Sequence, residues 1–345
     1  MIKHIKLERF TVFEEFSLEF SPGINILIGE NGTGKTHLLK VIYSACDVTK
    51  SKKSFAEKLN GVFLPSGQQI GRLVKRNKVS SSTSIEIVRA LSDGHSTSFS
   101  LSFSNHVKEV SRAKVSNSFK SWINYGLESV YIPVKDMMAN APGFMSLYDL
   151  RHIHFEEVYA DVISRAFLPA LKGPKDDNHK RMLAILERSM IGKVLLKGEE
   201  FFLKSAQGEL EFTLLAEGIR KLGLLWVLIQ NGTLTNGSVL FWDEPEANLN
   251  PKLMRTVVEI LIDLQRMGVQ IFIATHNYNV LKEFDLQMTA DVSVLFHSLF
   301  RSIETNEIDV VSSNTYEDIH PNAIDEAFGG FIDREIDKSM GGLGK

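Results

Sequence analysis

Eight residues near the N-terminus, from Gly29 to Thr36, read Gly-Glu-Asn-Gly-Thr-Gly-Lys-Thr. They follow the apolar run 24–28 and precede segment 37–42, whose apolar spacing indicates a helix. A strand, a glycine-rich loop and a helix in this order form a site where backbone N–H groups and a helix N-terminus bind phosphate groups. The pattern therefore predicts an α/β fold with a phosphate-binding loop at the end of a strand.

Every residue type in this loop suits phosphate binding. The glycines permit a tight turn and let backbone N–H groups approach phosphate oxygens closely. We expect Lys35 to reach the β- and γ-phosphates of a nucleotide and the Thr36 hydroxyl to ligate Mg²⁺. The predicted nucleotide-binding residues of the loop are Gly29, Glu30, Asn31, Gly32, Thr33, Gly34, Lys35 and Thr36.

Composition restricts the class of protein further. The chain has 345 residues, of which 43% are hydrophobic and 23% charged, as in ordinary globular proteins. Its formal net charge of −3 provides no general attraction to nucleic acid. The single cysteine excludes a disulfide scaffold, and residues 1–5 lack the apolar segment of a signal peptide. We expect a cytoplasmic protein that does not bind a membrane, because the longest apolar run, 222–229, is too short to span one.

The spacing of apolar residues divides the chain into three predicted domains. Residues 1–135 form an N-terminal lobe with the phosphate-binding loop and antiparallel strands. Residues 136–192 change to a helical pattern with a polar break at 173–178, and form a helical insert. Strands return in residues 193–345, the C-terminal lobe.

Local patterns within these lobes predict how the strands pair. Segments 84–91 and 97–103 alternate with period two around the turn 92–95, which predicts an antiparallel hairpin. The order of strand, helix and strand across 239–274 predicts a parallel βαβ unit. The stretch 50–58 is polar and basic, and the chain then shifts into a predicted loop at 64–67. The fold class is therefore α/β, with a mixed sheet, an antiparallel β subdomain and a helical insert.

Two adjacent carboxylates follow the strand at 239–242. We expect Asp243 to hold Mg²⁺ directly or through water, and Glu244 to act as general base toward the attacking water. His276 follows the next strand, at the sheet edge where ligands collect in open α/β folds. The alternatives are an acidic turn without function and an ordinary turn histidine.

The set Gly29–Thr36, Leu240–Asn250 and Ala274–His276 resembles the ABC-type ATPases of the RecF, SMC and OLD kind, often grouped with AAA-family ATPases. The resemblance implies ATP and Mg²⁺ as cofactors and ATP hydrolysis as the activity. It makes Lys35, Glu244 and His276 the catalytic candidates, with His276 as a switch residue that senses the γ-phosphate. The run 244–251 is similar to the family's E-P-E-x-x-L-H-P, with an asparagine in place of the histidine.

The same resemblance implies a signature helix that completes the ATP site of a second protomer. Residues 215–221 are similar to the pattern L-S-x-G-x-x-R, so Gly218, at the start of a helix over 218–231, is predicted to bind the partner's nucleotide. Ala216 stands in place of the usual serine and removes one hydroxyl donor. A simple amphipathic helix is the alternative. Gln68 or Gln69 is a candidate for the Q-loop glutamine, and Phe10 or Phe13 for an aromatic residue that stacks on adenine.

The resemblance implies a protein that dimerises around ATP·Mg²⁺ and drives or gates a partner. Stand-alone bacterial members commonly act in phage defence, and the segment after His276 is too short for the TOPRIM nuclease domain of OLD proteins. We therefore expect a homodimer or higher oligomer with a separate nuclease or toxin as effector. One alternative is a RecF-like ATPase that binds DNA in repair or recombination. Another is a nucleotide-gated scaffold or inhibitor with little turnover.

Overall fold

The computed structural model describes residues 1–91, 93–116, 118–173 and 176–341. The strands are β1 (Ile2–Phe10), β2 (Phe13–Glu19), β3 (Ile24–Ile28), β4 (Ser82–Ala90), β5 (Ser96–Ser104), β6 (Lys114–Val115), β7 (Ser129–Ile132), β8 (Lys193–Lys197), β9 (Glu200–Ser205), β10 (Gly208–Glu211), β11 (Val239–Asp243), β12 (Gln270–Ala274), β13 (Val294–Arg301) and β14 (Ile308–Ser313). The helices are α1 (Lys35–Ser51), α2 (Phe55–Phe63), α3 (Phe119–Asn124), α4 (Phe144–Arg151), α5 (Glu157–Ala166), α6 (Asp177–Met190), α7 (Glu217–Gln230), α8 (Pro251–Arg266), α9 (Tyr278–Gln287) and α10 (Ala323–Gly341).

A six-stranded mixed sheet in the order β14-β13-β3-β12-β11-β7 forms the centre of the molecule. All neighbours pair in parallel except β13 and β14, which pair antiparallel. Every residue of β3, β11 and β12 is buried, as expected for strands covered on both faces. The predicted βαβ unit is confirmed, because β11 and β12 are parallel neighbours joined through α8.

Alternate residues of the central strands pack into two hydrophobic clusters on opposite faces of the sheet. Ile26 and Trp242 belong to one cluster, which includes side chains of α5 to α9. Leu27 and Phe241 belong to the other, which includes side chains of α1, α2 and the antiparallel strands. The period-two alternation of these strands therefore fixes which layer each side chain supports.

A five-stranded antiparallel sheet in the order β2-β1-β4-β5-β6 lies beside the central sheet. The predicted hairpin is confirmed as β4 paired antiparallel with β5. Of its predicted turn, Ser92 lies outside the described residues. The Gln270 side chain of β12 connects the two sheets, because it both accepts from the Ile2 N–H at 2.7 Å and donates to the Ile2 carbonyl at 2.8 Å.

The predicted helical insert contains α4, α5 and α6, followed by a three-stranded sheet in the order β10-β9-β8. Residues 174 and 175 of the predicted break lie outside the described residues. The division into domains at 135 and 192 stays a prediction. In the central sheet, β3 and β7 belong to residues 1–135, and the other four strands belong to residues 193–345.

The polar, basic stretch 50–58 contains the end of α1 and the start of α2. Ser54 accepts from the Glu57 N–H at 3.2 Å while the Glu57 side chain accepts from the Ser54 N–H at 2.8 Å, a capping box. Within α2, Lys58 is fully buried and its Nζ lies 2.6 Å from Asp47, 2.8 Å from Glu157 and 2.6 Å from Asp161. This charged cluster joins α1, α2 and α5.

Along the described parts of the chain, no helix is both long and apolar enough to cross a bilayer.

Candidate nucleotide site

The glycine-rich loop connects the buried strand β3 to the first turn of α1. Gly29, Gly32 and Gly34 have φ angles of +140°, +83° and +95°, in the region that favours glycine. A Cβ at Gly34 would lie 2.5 Å from the Phe13 ring, so a larger residue would meet both backbone strain and a neighbour from β2. The backbone therefore adopts the conformation that the sequence predicts for a phosphate-binding loop.

Lys35 folds back over this loop. Its Nζ donates to the carbonyl of Gly29 at 2.7 Å and to that of Glu30 at 2.9 Å. Burial lowers the pKa of the Lys35 ammonium, while the nearby carboxylate of Asp243 acts in the opposite direction. The loop is braced further by the Thr33 hydroxyl, which donates to the Glu30 carbonyl at 2.9 Å.

A cavity of about 240 Å³ lies beside the loop. It is lined by Val12, Asn31, Gly32, Gly34, Lys35, Thr36, His37, Asp243 and Glu244. The loop at 29–36 and the predicted acidic pair are more than 200 positions apart in sequence. The parallel alignment of β3, β12 and β11 brings their strand ends to the same edge. Five of the eight predicted loop residues and the acidic pair thus face one space, whereas Gly29, Glu30 and Thr33 do not line it.

Asp243 is almost fully buried at the end of β11. Its Oδ1 accepts from the Thr36 hydroxyl at 3.2 Å and its Oδ2 from the Tyr131 hydroxyl at 2.9 Å. Burial raises the pKa of this carboxyl, and the two hydroxyl donors oppose that rise. A buried carboxylate with two donors is held in one orientation.

The Thr36 and Asp243 oxygens suit a magnesium ion. Mg²⁺ prefers hard oxygen ligands, and adjacent oxygens in its octahedral shell lie about 3 Å apart, which is close to the observed 3.2 Å. No group of three or more His, Cys, Asp or Glu side chains within the described ranges could hold a metal by itself. The pair therefore fits a cation whose remaining ligands are phosphate oxygens and water.

Glu244 and His276 meet at the rim of this cavity. His276 Nδ1 lies 3.3 Å from Glu244 Oε1, and both side chains remain partly exposed. Glu244 has a φ of +50°, a conformation that is strained for a residue with a side chain, and its N–H donates to the Ala274 carbonyl at 2.9 Å. His276 also lines a neighbouring cavity together with Gly29 and Asn31. The predicted general base and switch histidine are thus in contact beside the loop.

Gly218 lies elsewhere, against residues 248–249 of its own chain. A Cβ at Gly218 would lie 2.8 Å from the Asn248 carbonyl oxygen. Asn248 also donates to Glu217 at 2.9 Å, and the buried Lys221 ammonium donates to the Ala247 carbonyl at 2.7 Å. Gly218 does not line the cavity beside Lys35. The start of α7 is therefore packed on the segment that follows Glu244 and does not line the cavity beside the glycine-rich loop.

The chain differs from the family pattern at Ala216 and Asn250. The Ala216 side chain provides no cap for α7, whereas the Arg220 guanidinium pairs with Asp136 at 2.7 Å and so anchors the helix to the segment after β7. Asn250 is the N-cap of α8, where its side chain accepts from the Lys252 N–H at 3.0 Å. An asparagine at this position therefore starts the helix well.

Two of the less specific expectations do not agree with the structure. Phe10 and Phe13 are fully buried in the core beneath the antiparallel sheet, so neither ring is available to stack on adenine and that expectation is wrong. Gln68 lines a different cavity, between α2 and α4, and neither Gln68 nor Gln69 lines the cavity beside the glycine-rich loop.

Sequence reasoning missed two residues that support the site. Glu246 accepts from the Thr275 hydroxyl at 2.7 Å and from the His276 N–H at 3.2 Å, which fixes the turn that carries the histidine. Tyr131, on β7, donates to Asp243. Glu246 could have been found from its place in the E-P-E run, whereas finding Tyr131 required knowledge that β7 and β11 are neighbours.

Comparisons with known proteins identify the family and the fold of the chain. A family model described as "AAA domain, putative AbiEii toxin, Type IV TA system" matches residues 24–282, three quarters of the chain. The DNA replication and repair protein RecF of Lactococcus lactis subsp. lactis is 25% identical over 210 residues, which are 59% of this chain and 55% of that protein. RecF of Lachnoclostridium phytofermentans is 45% identical over 53 residues, 15% of this chain and 14% of that protein. The chain thus covers about half or less of the length of these curated relatives.

Solved structures show the same fold. The structure of an SMC head bound to the C-winged helix domain of ScpA has a TM-score of 0.60 at 13% identity, and covers 92% of this chain and 98% of that one. The SMC head domain of Thermotoga maritima has a TM-score of 0.50 at 14% identity, with 90% and 98% covered. The chain therefore belongs to the AAA-domain family of that description and has the fold of an ABC-type P-loop ATPase similar to RecF and SMC heads.

Proposed function

We propose that this protein hydrolyses ATP and uses the reaction to gate a partner effector. The observation that carries the proposal is the contact of Glu244 with His276 beside the phosphate cavity, with Asp243 held next to Thr36. This arrangement combines a phosphate cradle, a metal-binding pair and a carboxylate that can accept a proton from water. Hydrolysis, the metal and each residue's role are part of the proposal.

In the proposed reaction, Lys35 and the loop N–H groups bind the phosphates of ATP. Thr36 and Asp243 would hold Mg²⁺, which supplies charge neutralisation for the phosphate oxygens when it is bound. Glu244 accepts a proton from the attacking water, and the imidazole of His276 orients that carboxylate at 3.3 Å while it contacts the γ-phosphate.

We further propose that two protomers enclose two nucleotides. Gly218 does not reach the cavity of its own chain, and Ala216 leaves the N-terminus of α7 without a side-chain cap. Uncapped N–H groups at a helix N-terminus attract phosphate. The start of α7 therefore suits the γ-phosphate bound by a second copy, and closing or opening that dimer would convert hydrolysis into motion.

The effector is proposed to be a separate toxin or nuclease in defence against phage. The support is the description of the matched family, which refers to a toxin and a toxin–antitoxin system. A RecF-like role in DNA repair is the second candidate, favoured by the similarity to RecF proteins. A nucleotide-gated scaffold or inhibitor with little turnover is the third.

A Glu244→Gln variant tests the proposed hydrolysis. We expect the rate of phosphate release to fall by about 10²–10⁴-fold, the usual contribution of a general base, with ATP binding retained. The same chemical change at the exposed Glu317 is the control and should leave the rate unaltered. Unchanged hydrolysis in Glu244→Gln would refute the assigned role, and no hydrolysis by the wild-type protein would favour the scaffold.

Two further measurements address the partner copy and the second candidate. Light scattering of Glu244→Gln with ATP and Mg²⁺ should show a dimer that is lost on introducing Lys35→Ala. Turnover measured with and without duplex DNA separates the two biological roles. Strong stimulation by DNA favours repair, and no response favours the gated effector.

A further inference from the structure

The contact between the Tyr131 hydroxyl and Asp243 indicates a further role for this tyrosine. Tyr131 and Asp243 are each at most 3% exposed, and the hydroxyl donates to Asp243 Oδ2 at 2.9 Å. Tyr131 is paired with Phe241 in the parallel ladder of β7 and β11. Asp243 is two positions after Phe241, so it projects from the same face of the sheet, where the tyrosine can reach it.

The two oxygens of Asp243 have different partners. Oδ1 accepts from Thr36, the other proposed metal ligand, whereas Oδ2 accepts from Tyr131. A carboxylate that could rotate freely would exchange these oxygens, and the donor on Oδ2 prevents this. The hydroxyl thus directs Oδ1 toward Thr36 and the cavity.

Tyr131 itself packs against an aromatic ring. The ring of Tyr43, from α1, lies 5.5 Å from the Tyr131 ring at an angle of 56°. The Tyr43 hydroxyl donates to Asp161 at 2.7 Å, away from the nucleotide site. The two buried tyrosines therefore share an environment but donate to different carboxylates, which makes Tyr43 a matched control.

We propose that Tyr131 is a positioning residue that orients Asp243 for binding Mg²⁺ together with nucleotide. The inference rests on the proposed function, since it assigns Asp243 to the metal. Groups that hydrogen-bond to a metal ligand typically change metal affinity or activity by about 10–100-fold when they are removed. A tyrosine that merely fills the core would affect stability and leave metal affinity unchanged.

The test uses Mn²⁺, which carboxylate and phosphate oxygens bind as they bind Mg²⁺. Electron paramagnetic resonance measures the affinity of the protein for Mn²⁺ in the presence of a non-hydrolysable ATP analogue. Wild type, Tyr131→Phe and Tyr43→Phe are compared, after urea unfolding has established that each is folded. We expect about 10–100-fold weaker Mn²⁺ binding for Tyr131→Phe and wild-type affinity for Tyr43→Phe.

A second readout uses turnover as a function of Mg²⁺. If Tyr131 orients the metal ligand, Tyr131→Phe should require more Mg²⁺ for half-maximal hydrolysis, and excess Mg²⁺ should restore much of the rate. Equal Mn²⁺ affinity in wild type and Tyr131→Phe, or an equal loss in Tyr43→Phe, overturns the inference while the proposed function stands. Absence of nucleotide-dependent Mn²⁺ binding by the wild type overturns the metal assignment itself and the inference with it.

Discussion

Lys58 provides the sharpest test of how buried charge stabilises this fold. Its ammonium has no exposure and lies within 2.8 Å of three carboxylates, those of Asp47, Glu157 and Asp161. Two other cations, Arg165 and Lys53, also pair with members of this cluster, so three positive charges face three negative ones. Lys58→Met retains most of the aliphatic volume and removes the central charge.

The expected loss is large because one carboxylate would be left uncompensated. Removing one partner of a buried ion pair costs about 3–5 kcal/mol, and with three carboxylates around the missing charge we expect about 4 kcal/mol in the free energy of unfolding at pH 8. The control Lys193→Met breaks an exposed pair with Glu187 at 3.4 Å, for which we expect less than about 1 kcal/mol.

The loss should also depend on pH with a defined sign. Burial already raises the pKa of Asp161 in the wild type, and loss of Lys58 would raise it further. A carboxyl whose folded pKa lies above its unfolded value binds more protons in the folded state, so stability rises as pH falls. The deficit of Lys58→Met should therefore shrink between pH 8 and pH 5.

Urea denaturation followed by circular dichroism measures both effects. Adding Asp161→Asn to Lys58→Met removes the surplus charge but keeps an acceptor for Tyr43, and should recover about 1–3 kcal/mol. A deficit below about 1 kcal/mol at pH 8, a deficit that grows toward pH 5, or a double variant less stable than the single one would refute this reasoning.

Two further predictions concern the glycine-rich loop and a buried histidine. Gly34→Ala would place Cβ 2.5 Å from Phe13 at a φ of +95°, so binding of a fluorescent ATP analogue should weaken by at least about tenfold. The control is Gly94→Ala, because Gly94 also has a positive φ but has open space around it. Unchanged binding by Gly34→Ala would contradict the reasoning. Burial lowers the pKa of His297 to about 3. The contribution of this histidine to the free energy of unfolding is therefore fully present above its unfolded pKa of about 6.5, and up to roughly 5 kcal/mol is lost as pH falls toward 3. His297→Gln should flatten the pH dependence of the urea midpoint relative to wild type and to His95→Gln, and an unchanged slope would contradict this assignment.

The parts of the site that depend on backbone conformation were predictable from residue types alone. Three glycines, Lys35 and Thr36 require one turn between a strand and a helix, and β3 and α1 flank it as expected. The ends of β11 and β12 were predictable for the same reason, since parallel strands bring their carboxyl ends to one edge.

The parts that depend on side-chain partners were not predictable. Lys58 belongs to a polar, basic stretch, and the three carboxylates from α1 and α5 make its burial possible. Phe10 and Phe13 were expected to contact a ligand but are buried in the core. Aromatic residues near a glycine-rich loop in sequence can serve either purpose. Tyr131 was hidden within an apolar strand whose neighbour was unknown.

The position of β3 has a consequence for how the protein is made. This strand precedes the glycine-rich loop and is hydrogen-bonded on one side to β12 and on the other to β13. Both of these strands follow β3 in the sequence by more than 240 positions. During synthesis the loop therefore leaves the ribosome long before either neighbour exists. A nascent chain that has reached only residue 240 lacks both strands that flank β3, so we expect it to bind no ATP. We therefore expect competence to bind nucleotide to arise late, after the sheet has been completed.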